Sequence, residues 1–244
     1  MSTPIKSQYV QLISGESTIP AYRAMPNESP VAGVVVLQEI FGVNEHIREV
    51  TEGLARCGYA AIAPALYQRQ VADFEAGYTP EDIRVGREYK VHTAASELLL
   101  DVQAAVEHLQ SHMGTYRKVG CIGFCFGGHV AYLAATLPSI TATASFYGAG
   151  IATWCPGEES PTVTRTPQIS GTLYGFFGKD DASIPEAEVT QIEAALTAAG
   201  VPHRIFRYDN AGHGFFCDRR DSYCPEAAAK AWKQVLDLFK RLLQ

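Results

Sequence analysis

Gly123-Phe124-Cys125-Phe126-Gly127-Gly128 constrains the possible folds of this chain more than any other stretch. A short apolar run, Lys118-Val119-Gly120-Cys121-Ile122, precedes it, and Val130-Ala131-Tyr132-Leu133-Ala134-Ala135 follows with helical character. Strand, tight turn and helix form the context of a nucleophile elbow, in which the central side chain projects above the end of a sheet. Gly123 and Gly127, two positions either side, lack the Cβ that would collide across so sharp a turn. The central residue here is Cys125 rather than Ser. A thiol at a helix N-terminus also sits where the macrodipole favours its anion. The plainer reading of the same residues is a buried cysteine in an ordinary β–α turn, so the rest of the chain must decide.

Read from the start, Tyr9–Ile13 and Ile19–Ala24 form an opening hairpin around Ser14-Gly15-Glu16. Ala32–Leu37 is apolar without alternation, as a strand buried on both faces requires. Asn44 has the character of an N-cap for a helix reaching Cys57, which Gly58 ends. Tyr59–Ala63 is the next strand, and Gln68–Thr79 an irregular excursion. Pro80-Glu81-Asp82 opens a helical stretch that Ala94–His112 continues, with Leu98, Val102, Ala105, Val106 and Leu109 on one face. Within it His108 and His112 have a spacing open to metal, although a helix end favouring partly positive imidazoles accounts for them as well. Strands follow at Thr141–Tyr147, Ile169–Phe177 and His203–Tyr208. Gly148–Pro167 reads as a loop, and Glu186–Ala199 and Pro225–Leu243 as helices. This alternation predicts a mostly parallel sheet covered by helices on both faces, in one domain over residues 1–244.

A net charge of −6 without a Lys/Arg cluster argues against a nucleic-acid partner. No apolar run approaches a membrane span, and Met1–Pro20 has no signal-peptide core. The six cysteines (57, 121, 125, 155, 217 and 224) show no Cys-x-x-Cys pair. Free thiols in the cytoplasm are expected, with a Cys217–Cys224 bridge left open.

Ligands of parallel sheets bind outside the carboxyl ends of the strands. Glu39, Cys125, Asp180-Asp181 and His213 all follow strands and should gather at that rim. The order Cys125, Asp181, His213 is the nucleophile–acid–His order of α/β-hydrolases. Asp180 competes for the acid; the Asp-to-Pro spacing common in such hydrolases, counted back from Pro185, favours Asp181. A thiol, a base and a carboxylate that orients the base make a nucleophilic centre.

With these residues in view, the chain resembles the dienelactone hydrolase (carboxymethylenebutenolidase) family. The resemblance rests on Gln38-Glu39-Ile40-Phe41-Gly42-Val43-Asn44, Gly58-Tyr59-Ala60-Ala61, Leu66-Tyr67, the Cys125 elbow and Ala211-Gly212-His213. It implies an α/β-hydrolase fold and a Cys125–His213–Asp181 triad, with the backbone N–H groups of Ile40 and Phe126 as oxyanion hole. Glu39 would hold the resting thiol protonated and later take its proton. The implied reaction is hydrolysis of an enol-lactone to a keto-dicarboxylate such as maleylacetate, without metal or cofactor, by a monomer or small homo-oligomer.

Two positions depart from the family pattern. Where the family carries an arginine four residues past the triad histidine, this chain has Cys217, with Arg219 and Arg220 just beyond. Where it carries one four residues before a Tyr-Lys pair, here Tyr89-Lys90, this chain has Val85 between Arg84 and Arg87. Arg87, Tyr89 and Arg219 are the expected substrate-binding residues. A broad small-ester or thioester hydrolase is the alternative enzyme. A non-catalytic thiol redox sensor or binding protein, with Cys125 reversibly oxidised, is the reading from a different class.

Overall fold

The computed structural model describes residues 4–113 and 117–244. One eight-stranded sheet runs through the molecule in the order β1-β2-β4-β3-β5-β6-β7-β8. Strands β1 (Ile5–Ser14) and β2 (Ser17–Pro26) form the antiparallel hairpin, longer at its open end than the residue pattern suggests, by four residues on β1 and two on β2. β2 pairs antiparallel with β4 (Ala60–Pro64). From β4 onward, β3 (Gly33–Leu37), β5 (Val119–Phe124), β6 (Ile140–Phe146), β7 (Thr172–Gly178) and β8 (His203–Tyr208) are all parallel.

The central strands are apolar at every position because both faces are covered. Val34 and Val36 of β3 and Ile122 and Phe124 of β5 join one core with helices α1 (Glu45–Arg56) and α6 (Pro225–Leu243). Val35, Leu37, Val119 and Cys121 point the other way, into a core with α3 (Ala95–Met113) and α4 (Phe126–Ala134). Period-two alternation thus divides each strand between two cores, not between core and water. Helix α5 (Glu186–Ala198) adds Val189, Ile192 and Leu196 to the first.

The continuous helical stretch expected from Pro80 is two helices, α2 (Pro80–Val91) and α3. The Thr93 hydroxyl donates to the Lys90 carbonyl (2.7 Å), a local bond that competes with continuation of the helix. At its other end α2 has a reciprocal capping box between Thr79 and Asp82. The Gly148–Pro167 loop gives way at Thr162 to a short 3-10 turn, Thr162–Gln168.

His108 and His112 form neither a metal pair nor a cationic helix end. The Arg23 guanidinium Nη1 donates to both Nε2 atoms, at 3.0 and 2.8 Å, and occupies the lone pairs a metal would need. Burial, then the neighbouring His112 and Arg23, push His108 down to about 4, so its ring is neutral. All six cysteines are free thiols, so no Cys217–Cys224 bridge forms. Among the described residues, no helix is long and apolar enough to cross a membrane.

Candidate active site

Glu39 follows β3, Cys125 follows β5, Asp181 follows β7 and His213 follows β8, and the parallel register brings these ends to one rim. Cys125 stands between β5 and α4 at φ 54° and ψ −115°. The turn is tight enough that a Cβ on Gly123 would lie 1.9 Å from the Gly127 carbonyl oxygen. Gly127 has its own reason, since a Cβ there would lie 2.2 Å from the Leu37 carbonyl oxygen.

The His213 ring bridges the thiol and the acid. Its Nε2 is 3.1 Å from Cys125 Sγ, and its Nδ1 is 2.8 Å from Asp181 Oδ2. The other Asp181 oxygen accepts from the Ser183 N–H at 2.8 Å, which fixes the carboxylate plane. Asp181 is buried while Asp180 is exposed, and only Asp181 reaches the ring. Burial works against a charged imidazole at His213. The facing sulfur in its anionic form and the Asp181 hydrogen bond outweigh it, and the pKa is pushed up to about 10. The edge of Tyr147 packs on the same ring at 5.3 Å between centroids.

The Ile40 and Phe126 N–H groups sit on the turn after β3 and at the first position of α4. Among the described residues neither donates to a backbone acceptor. For Phe126 this follows from its place in the first helical turn, where N–H groups have no partner inside the helix.

Glu39 is fully buried, and its Oε1 accepts from Arg220 Nη1 at 2.9 Å, not from the Cys125 thiol. Its Oε2 is buried without a hydrogen-bond partner. The thiol bonds to the imidazole in this conformation, so direct contact between Glu39 and the resting thiol, expected from the resemblance, is not what the structure contains.

A cavity of about 190 Å³ opens onto Cys125 and His213, lined also by Ile40, Phe41, Ile83, Ala149, Ser183 and three cations, Arg87, Lys90 and Arg220. No carboxylate lines it, and among the described residues Arg87 and Lys90 have no acidic partner. Lys90 Nζ lies 4.7 Å from the Trp154 ring centre, and burial lowers its pKa. Of the expected substrate-binding residues, Arg87 lines the cavity and two do not. Tyr89 packs against Tyr67 and Phe74. Arg219 pairs with Glu45 and Glu49 at 2.9 and 2.7 Å, on the outside of α1. Arg84 pairs with Glu81 and Glu88 on the exposed face of α2. Lys90 and Arg220 take the inward places. The Tyr-Lys pair pointed to the right turn of α2 but not to which of its residues faces inward.

A mostly parallel sheet flanked by helices, with a strained residue between β5 and α4 and the order Cys, Asp, His after β5, β7 and β8, defines an α/β-hydrolase. Solved structures agree with this architecture. The acylaminoacyl peptidase of Pyrococcus horikoshii superposes on the whole chain with a TM-score of 0.76 at 15% identity, using 42% of its own length, a likeness of fold alone. The family is narrower. The model of the "Dienelactone hydrolase family" matches residues 19–243, and the chain belongs to that family. A Synechocystis protein named "Putative carboxymethylenebutenolidase" is 52% identical, with all of both chains covered. The "Carboxymethylenebutenolidase" of Pseudomonas putida is 29% identical over 92% of each. A crystal structure of a "Putative Dienelactone Hydrolase" from Klebsiella pneumoniae has a TM-score of 0.85 at 33% identity, covering 98% of this chain and 99% of that one. The family is one of lactone and ester hydrolases, and the substrate is a small molecule.

Proposed function

We propose that the protein hydrolyses a small carboxylated lactone, of the dienelactone type, through an acyl-thioester on Cys125. The observation that carries this is the unbroken series from Cys125 Sγ through His213 to Asp181, at 3.1 and 2.8 Å. His213 holds the thiol proton as the sulfur adds to the lactone carbonyl, and Asp181 keeps the ring oriented and stabilises its charge. The Ile40 and Phe126 N–H groups receive the oxyanion. Collapse breaks the ring C–O bond, and the enol oxygen takes the proton from His213. Water, deprotonated by the same ring, then adds to the thioester. Cys125 leaves with its proton restored, and the enol tautomerises to a keto-dicarboxylate such as maleylacetate.

Arg220 is already paired with Glu39, but Arg87 and Lys90 bring two cations without an acidic partner to the cavity wall, which suits an anionic substrate. A substrate carboxylate competing for Arg220 would release Glu39 from its ion pair, and Glu39 could then act on the thiol proton. A second reading, a broad hydrolase of small neutral esters or thioesters, is favoured by one observation: Cys217 stands where the family's arginine does.

Turnover of a carboxylated enol-lactone and of its neutral methyl ester separates the readings. A higher kcat/KM is expected for the acid, and Arg87→Gln and Lys90→Gln should raise KM for the acid while sparing the ester. Equal kcat/KM values would favour the broad hydrolase. No turnover of either would favour a thiol sensor.

A further inference from the structure

The segment carrying His213 and Arg220 crosses the first turn of α1, with Phe216 against His46 and Arg219 on Glu45. There a ring nitrogen of His46, Cys217 Sγ and a carboxylate oxygen of Asp218 all lie within 4.8 Å of one another. His46 is 4% exposed, and its Nε2 is buried without a hydrogen-bond partner. An unpartnered buried imidazole nitrogen is costly, and a native structure retains one where something else satisfies it. The ring is held edge-on by Phe124 and Phe216, at 5.7 and 6.1 Å. Beside it a cavity of about 370 Å³ is lined by His46, Glu49, Phe216 and Asp218, so a small ion reaches the cluster from solvent.

We infer that His46, Cys217 and Asp218 bind a zinc-class divalent transition metal that clamps the His213–Arg220 segment onto α1. The donor set is one imidazole, one thiol and one carboxylate, the mixed nitrogen–sulfur–oxygen type zinc accepts and magnesium or calcium does not. Zinc bonds of ~2.0–2.3 Å place tetrahedral ligands roughly 3.3–3.6 Å apart, so the three groups close by about an ångström on binding. Water takes the fourth position, on the cavity side. Cys217 Sγ loses its proton to solvent, and with it the hydrogen bond now donated to Tyr78 Oη at 3.3 Å. None of the three ligands lines the 190 Å³ catalytic cavity, so the site is separate from the proposed nucleophilic centre.

Because Cys125 and His213 are themselves a thiol and an imidazole, the test uses the Cys125→Ala protein. Cobalt(II) is titrated in, the sulfur-to-cobalt charge-transfer band is followed, and zinc is then used to displace it while Tm is recorded. The inference predicts one cobalt per chain, a thiolate band, and a higher Tm with zinc. Cys217→Ser on the same background should abolish the band and His46→Gln should weaken binding. Asp218→Asn, exposed and so harmless to folding, should weaken binding by at least the ~10–100-fold that loss of an outer-shell partner costs. Absence of a band with excess cobalt, or a band that survives Cys217→Ser, overturns the site. So does Asp218→Asn with unchanged affinity.

Discussion

Cys125 is held at φ 54°, in the left-handed region, where a non-glycine residue stores about 1–3 kcal/mol of strain. The sheet and α4 bear that strain, and it aims Sγ at His213 Nε2. At this scale the acid is the sharpest test. Asp181→Asn removes the acceptor that fixes the His213 tautomer, and kcat should fall by up to about 10⁴-fold. Asp180→Asn, exposed and without a bond to the ring, should leave kcat nearly unchanged. Steady-state rates of the two variants check this, and equal effects would contradict the assignment. Glu39 gives a second expectation. A buried carboxylate disfavours a nearby thiolate, and Arg220 pairs with only one of the two Glu39 oxygens. Glu39→Gln should therefore speed iodoacetamide labelling of Cys125 without substrate, read by mass spectrometry, while lowering kcat. Rates that rise or fall together would remove Glu39 from the mechanism.

Among the elements, α2 brings Arg87 and Lys90 to the cavity. Its Gly86 lies so close to the turn after β3 that a Cβ there would be 2.3 Å from the Ile40 carbonyl oxygen. This approach brings Ile40, Arg87 and Lys90 together around one cavity. Gly86→Ala should push α2 outward, cost about 1–3 kcal/mol of stability by overpacking, and lower kcat. Urea unfolding and kinetics check both, and unchanged values would mean the contact is not what positions the helix. The same element marks what the sequence could carry. The elbow, His213, Asp181 and Glu39 were legible because each is fixed by its own strand end and a few neighbours. The cations were not. Arg219 and Arg220 are adjacent, and only the course of one loop over Glu39 and α1 sends the second inward. Tyr89 and Lys90 are likewise separated by helical phase alone. The division of the 80–113 stretch into α2 and α3 depended on one hydroxyl, Thr93, donating back to Lys90. His46 carries no sequence signal, because a histidine in the first turn of a helix is unexceptional until the loop after β8 is laid across it.

Across the whole molecule, two histidines pull stability in opposite directions with pH. His129 is fully buried, donates from Nδ1 to the Ala149 carbonyl, and is pushed down to about 4 by burial. The unfolded chain, titrating near 6.5, binds a proton the folded one refuses, so stability falls as pH drops from 6.5 toward 4. His213 has a folded pKa raised to about 10. Its contribution is complete below 6.5 and is lost as pH rises through about 10. Urea midpoints should therefore peak between these limits. His129→Gln should flatten the acid limb, and Cys125→Ala should weaken the alkaline one by removing the sulfur that faces the imidazole. A wild-type acid limb in His129→Gln would show that other groups set it.

The proposed hydrolysis requires a covalent acyl bond to Cys125. Mixing the enzyme with p-nitrophenyl acetate, quenching in acid within the first turnover and digesting for mass spectrometry tests it directly. The account predicts an acetyl group on the peptide carrying Cys125, a matching burst of p-nitrophenol, and loss of both in Cys125→Ala. An acetyl group on a different residue, or full turnover by Cys125→Ala, would contradict it.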